Sequence, residues 1–256
     1  MANKFLNSRD TLAYLAVIYN GDWSKIYNEI IKHLDYDYDT VMEVVNGIST
    51  KFITILDEEY PNELKQVSHP PFVLFYKGDI SLIKDVKQNL AVNGNRTPTL
   101  EAQYVAKYLL KDNIGKNIVV GASKGLTLQM VYEGSNKFIV VLPCGIDNNE
   151  FSYALSNCDN VLLISEYPNN VPLTTEQALA RQRIVVGLST KTLILEAHKN
   201  SNAMVLVNLS LSYNHEVMVV PTNISTADDY CNNQLIYEGA TIVLNKDMLL
   251  EQLELD

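Results

Sequence analysis

The sequence predicts an α/β fold: a doubly wound, mostly parallel sheet over residues 52–256, preceded by a small helical module over residues 1–50. Two observations carry this. From residue 52 onward, short segments rich in Val, Ile and Leu alternate with stretches of helical length, and these segments are continuously apolar, as strands buried on both faces are. Ahead of residue 50 the apolar residues recur instead at helical spacing.

In order along the chain, Leu12, Leu15, Ala16 and Tyr19 share one helical face, and Gly21 is a natural stop. Asp22 is placed to cap a second helix whose stripe is Trp23, Ile26, Ile30 and Leu34. Val41, Val44, Val45 and Ile48 mark a third, and "GIST" links the module to the first strand. "FITIL" and "FVLFYKG" read as strands separated by the loop-forming "YPNELKQVSHPP". Further strands are expected at 90–93, 117–120, 138–142, 160–164, 192–197, 216–220 and 241–244. The intervening stretches, such as "TLEAQYVAKYLLKD" and "SNAMVLVNLSLSYN", are long enough for helices, which makes the arrangement Rossmann-like.

Bulk properties narrow the function. The chain has 256 residues, 47% of them hydrophobic, and 30 acidic against 20 basic side chains give a net charge of −10. That balance argues against a broadly basic coat for nucleic acid while leaving room for a local basic patch. Cys144, Cys158 and Cys231 form no Cys-x-x-Cys pair and read as reduced thiols. The apolar "LAYLAVIY" beside Asp10 lacks a small-residue cleavage site, and the other apolar runs are too short to cross a bilayer, so a cytoplasmic protein with no membrane contact is expected.

In an open α/β sheet ligands bind beyond the carboxyl ends of the strands. The first such corner is Gly94-Asn95-Arg96. The second is "GASKGLT", where Gly121 and Gly125 flank Ser123 and Lys124. A later one, "EAHKNSNA", offers Lys199, Ser201 and Asn202 at a helix start. Glycine admits close backbone approach, the cations supply charge and helix starts supply N–H donors, which together make phosphate sites. Neither a Walker A loop nor Gly-x-Gly-x-x-Gly is present, so glycines serving tight turns beside a solvated Lys124 are the competing explanation. Arg181 and Arg183 flank Gln182 and are within reach of a phosphate as well. His33, His69, His198 and His215 lack metal-ligand spacing, and no base stands beside Ser123, Ser165 or Ser201. Asp147 and Glu166, at strand ends, read as structural carboxylates. No catalytic residue, metal or cofactor is expected.

The pieces from about residue 52 onward stand in an order that resembles the DNA-processing protein A family (DprA, or Smf). "YPNELKQVSHPPFVLFYKGD" is similar to the family's Tyr-Pro…Pro-Pro…Leu-Tyr-x-Gly opening, "AVNGNRTPTLEAQYVAKYL" to its strand, Gly-Ser-Arg and helix, and "GASKGLT" to its Gly-x-Ala-Arg-Gly-Ile-Asp. "VVLPCGIDNNEF", "LLISEYP", "ARQRIVVGLSTKTLILEA" and "NNQLIYEGA" come next, in family order. The resemblance implies a Rossmann-like domain with a small SAM-like helical module before it, and a non-enzymatic recombination mediator. Such a protein binds and protects single-stranded DNA, dimerises and loads the recombinase RecA during natural transformation. It places Gly94, Arg96, Gly121, Lys124, Gly125, Arg181 and Arg183 on the family's motifs. Departures are Asn95 for the family's serine, Lys124 for its arginine, Thr127 for its aspartate and Ser201-Asn202-Ala203 for its Ser-Gly-(Ser/Thr). Two other readings are a nucleotide- or phosphoribosyl-binding enzyme of the same architecture, whose Pro-Gly-Gly-x-Gly-Thr signature is missing, and a degenerate homologue acting through protein partners only.

Overall fold

The computed structural model describes residues 6–147, 155, 158–199, 201–226 and 230–255. Three helices come first: α1 (Ser8–Ile18), α2 (Trp23–Lys32) and α3 (Tyr38–Asn46). Each starts on a side-chain cap, with the Asp10 N–H donating to Asn7, Lys25 N–H to Asp22 and Thr40 N–H to Asp37. These caps satisfy orphan donors that a helix start otherwise leaves open. The second helix is shorter than its apolar stripe predicts. His33 turns left-handed (φ 49°) and ends it at Lys32, which leaves Leu34 exposed rather than packed.

Among the described residues nine strands then form one sheet: β1 (Lys51–Thr54), β2 (Val73–Lys77), β3 (Asn89–Asn93), β4 (Asn117–Gly121), β5 (Phe138–Val141), β6 (Val161–Ser165), β7 (Lys191–Ile194), β8 (Glu216–Val219) and β9 (Thr241–Ile242). Their order is β1-β2-β6-β5-β4-β3-β7-β8-β9. The hairpin β1–β2 joins β6 antiparallel, with Phe75 opposite Ser165, and every pairing from β6 to β9 is parallel. After β3 the chain builds outward through β4, β5 and β6, then returns to lay β7 on the other side of β3. That reversal beside β3 is the topological switch point, where the loops on the two sides diverge and leave a crevice.

Successive strand residues face opposite sides, so the sheet has two cores. Phe75, Leu90, Val92, Ile118, Val120 and Phe138 pack on one face, against α1, α5 (Leu100–Leu110), α6 (Leu126–Glu133) and α11 (Lys246–Glu254). Leu74, Ala91, Val119, Ile139, Leu162 and Ile194 pack on the other. The elements there are α4 (Asn62–Lys65), α8 (Gln182–Gly187), α9 (Asn202–Ser212) and α10 (Asn232–Tyr237), while α7 (Thr175–Ala180) buries none of its residues. Continuous apolar strands follow from this double burial. No helix among the described residues is long and apolar enough to cross a membrane.

The helical module shares the first core. Leu12, Leu15, Ala16 and Ile26 belong to the same cluster as Val73 and Phe75. Polar ties fix the docking angle: the Trp23 indole N–H donates to the Pro70 carbonyl (2.8 Å) and Arg9 pairs with Asp57 (3.0 Å). Gly21, with φ +74°, rests on the Glu166 backbone, and a methyl group there would lie 2.7 Å from the Glu166 carbonyl oxygen. Just past β6, the Glu166 carboxylate is buried and receives both arms of Arg183, Nη1 to Oε1 at 2.8 Å and Nη2 to Oε2 at 2.5 Å, while Arg183 Nε donates to the His69 carbonyl. Burial alone would depress the Arg183 guanidinium, but the charge and hydrogen bonds of Glu166 outweigh it and the net shift is upward.

Breaking this pair strands a charge in a water-poor place. Arg183→Met is expected to cost about 3–5 kcal/mol in urea unfolding, and adding Glu166→Gln to the same chain should recover part of the loss. Equal stability of the two variants would show that Glu166 is not held by charge.

Candidate functional site

A cleft of about 380 Å³ opens at the carboxyl ends of β3, β4 and β7, at the switch point. Gly94, Asn95, Arg96 and Thr97 line it from the first loop, and Gly121, Ala122, Ser123 and Thr127 from the second. Thr175, Ala178, Arg181 and Gln182 close one side, and His198, Ser201, Asn202 and Ala203 the other. In a chain of net charge −10, these described lining residues include two arginines and no carboxylate.

The first two loops form one block. The α-carbon of Gly94 lies against the Leu126 side chain, so any side chain at 94 would displace it. Gly125 has φ +83° and takes the Arg96 carbonyl directly on its α-carbon, a conformation and an approach that favour glycine. The Leu126 N–H donates to the Asn95 carbonyl at 3.3 Å, so one donor at the start of α6 is committed to the neighbouring loop. Gly94 and Gly125 therefore build the rim by close packing.

Asn95 points down into the protein. Its amide Nδ2 donates to Glu196 Oε2 at 2.7 Å, and its Oδ1 accepts from the His198 N–H at 3.3 Å. Glu196, buried just past β7, also accepts from the Thr99 hydroxyl at 2.6 Å, and the same Thr99 oxygen caps α5 through the Ala102 N–H. The amide thus ties the loop after β3 to the loop after β7, with a donor that reaches one bond further from the backbone than a serine hydroxyl would. Glu196 and Thr99 help to build the site; both stand inside family-like stretches, yet neither is among the candidate site residues. The sign that could have found them is the position of Glu196, a strand-end carboxylate in "LILEA".

The electrostatic centre is Arg181, between α7 and α8. The residue is 5% exposed and its side chain lies across the end of β4, where a methyl group on Gly121 would come within 2.7 Å of Nε. Nη1 donates to the Ala122 carbonyl, and Nε has no hydrogen-bond partner among the described residues. Burial pushes this guanidinium down to about 10, with Cys144 opposing the shift and the charge of Arg96 adding to it. At neutral pH it remains a cation. Arg96 is exposed at the rim, and among the described residues neither it nor Arg181 is paired with a carboxylate. Ser201, at the N-cap of α9, has a buried hydroxyl that caps nothing and has no partner among the described residues. A buried cation with no counter-charge among the described residues, a hydroxyl with no partner among them and a helix start converge on one space, which is the chemistry of an anion site.

The other expected residues stand at the rim or outside the cleft. Lys124 and Gly125 sit in the turn between β4 and α6, beside the cleft lining, and Lys199 is exposed on the approach to α9 near Cys231. Arg183 gives its fork to Glu166 and lines a separate crevice against the helical module. The Thr127 hydroxyl accepts from Ser123 at 3.2 Å inside the wall.

The two arginines should respond oppositely to the same change. Unlike Arg183→Met, Arg181→Met should leave stability without added anion within about 1 kcal/mol of the wild type or above it, because an uncompensated buried charge is removed. A loss of several kcal/mol in urea unfolding would mean that Arg181 is already satisfied by the protein.

Comparison with known proteins agrees with this architecture. A family model described as DNA recombination-mediator protein A matches residues 51–254. The DNA processing protein DprA of Streptococcus pneumoniae is 30% identical over 213 residues, covering 78% of this chain and 73% of its own length. DprA of Bacillus subtilis is 28% identical over 218 residues, covering 81% and 72%. Among solved structures, the S. pneumoniae protein superposes with a TM-score of 0.74 at 21% identity over 96% of both chains. DNA processing protein A of Helicobacter pylori, solved for its single-stranded DNA binding mode, gives 0.68 at 25% identity over 80% of this chain and 96% of that one. With the model spanning nearly all of the sheet and its helices, the chain belongs to the DNA recombination-mediator protein A family.

Proposed function

We propose that this protein binds single-stranded DNA through backbone phosphates held in the switch-point cleft, and that it works without catalysis as a recombination mediator in the cytoplasm. The observation that carries the reading is Arg181, buried, charged at neutral pH and next to Arg96 in a cleft where, among the described residues, no carboxylate pairs with it and no acid lines the wall. A phosphate oxygen supplies the missing counter-charge, and in the water-poor wall a charge-assisted bond to it is stronger than at the surface. Nothing in such contacts reads base edges, so sequence preference should be slight. Family membership and the single-stranded DNA bound by the H. pylori relative support the same ligand. Protein partners in this reading are RecA and a second copy of the chain. Exposed Tyr237 and Leu244, flanking the edge strand β9, offer apolar surface and open backbone groups for the latter.

Fluorescence anisotropy of a labelled oligo-dT checks the assignment. Two phosphate contacts give a log–log salt slope of about −1.4 or steeper, near −0.7 for each phosphate of a single strand. Arg181→Met and Arg96→Glu should each weaken binding about tenfold or more and flatten the slope by about 0.7. Undiminished affinity in the doubly substituted protein would move the ligand out of this cleft.

A further inference from the structure

Outside the cleft, one surface combines exposed aromatic rings with exposed lysines. Helix α5 starts three residues after Thr97 of the cleft lining. Its inner face, Ala102, Ala106, Leu109 and Leu110, is buried. Its outer face carries Leu100, Tyr104 and Tyr108, which are 84%, 72% and 50% exposed. At about 100° per residue these three share one arc with Lys107 and Lys111, both exposed. Among the described residues neither tyrosine hydroxyl has a hydrogen-bond partner and neither ring is stacked on another. Lys107 stands 3.7 Å from Glu133 in a half-exposed pair, the kind that water and salt readily open.

We propose that this face is an extension of the single-stranded DNA path: a strand whose phosphates occupy the cleft continues over Leu100 and stacks bases on Tyr104 and Tyr108, with Lys107 and Lys111 meeting the phosphates between them. The inference rests on the cleft reading, since it is continuity with that cleft that selects DNA over another occupant. The arc also pairs its aromatic rings with Lys107 and Lys111, although exposed Glu101 stands at its edge and Glu133 faces Lys107, so continuity with the cleft carries the choice of occupant. Planar rings alternating with cations along one helix suit a strand with no sequence requirement, because every base presents a π-face and every nucleotide a phosphate. Exposed tyrosines at i and i+4 stand about 6 Å apart along the axis, one after the other in the direction leading away from the cleft.

Oligo-dT of ~5 and ~15 nucleotides separates the cleft from its extension, being near the two ends of the range of site sizes for such surfaces. The shorter strand should bind wild type and Tyr104→Ala/Tyr108→Ala alike, while the longer one should bind the wild type more tightly and lose about tenfold or more in the alanine protein. Tyr104→Phe/Tyr108→Phe keeps the rings and should keep the affinity. Equal binding of the longer strand by wild type and alanine protein would overturn the proposal and leave the cleft reading standing. A change of oligomeric state in light scattering with DNA affinity unchanged would overturn it in favour of a contact between copies. A wild type that binds neither strand would sink the cleft reading and this one with it.

Discussion

Two guanidinium groups lie buried within three residues of one another, and among the described residues a carboxylate meets only one of them. Arg183 meets Glu166 in a two-armed pair that fastens α8 to the end of β6, against the helical module. Arg181 faces the other way, across the end of β4, with one arm on a carbonyl and its Nε without a partner among the described residues. A buried ion needs a partner, or its cost must be offset by the rest of the fold. The paired arginine holds the segment in place, so that the unpaired one is presented rather than allowed to swing out to water. The cleft depends on this division of labour.

The surrounding architecture serves the same end. Parallel strands buried on both faces send their loops to one edge, and the reversal beside β3 opens a gap there. Gly94, Gly121 and Gly125 then remove side chains where a rim, a guanidinium and a carbonyl must pass closely. The Asn95–Glu196–Thr99 network ties the loops after β3 and β7 to the cap of α5. Rigid support of this kind would limit the entropy lost when a ligand enters the cleft, since Arg181 is already held in place.

Much of this is legible in the sequence, and the parts that are not share a cause. Strands such as 138–141 and 161–165 declare themselves because double burial demands unbroken apolar runs, and Asp22 declares the start of α2 because orphan N–H groups need an acceptor. Leu34 misleads because periodicity cannot sense the left-handed turn at His33. Arg181 and Arg183 look equivalent on either side of Gln182. Two positions apart on a helix they point about 200° apart, and the partner that separates them, Glu166, arrives only through the sheet. Asn95, set against a family serine, reads as a lost hydroxyl, whereas its amide reaches a carboxylate 101 positions away that no local pattern links to it.

The most direct test of the unpaired charge is the side-chain Nε–Hε signal of Arg181 in an ¹⁵N-labelled sample titrated with a short oligo-dT. The signal should shift and gain protection as the strand binds, while that of Arg183, held on Glu166, stays in place. Saturable binding of the oligonucleotide with the Arg181 signal unmoved would contradict the account, because the buried cation would then have no part in holding the phosphate.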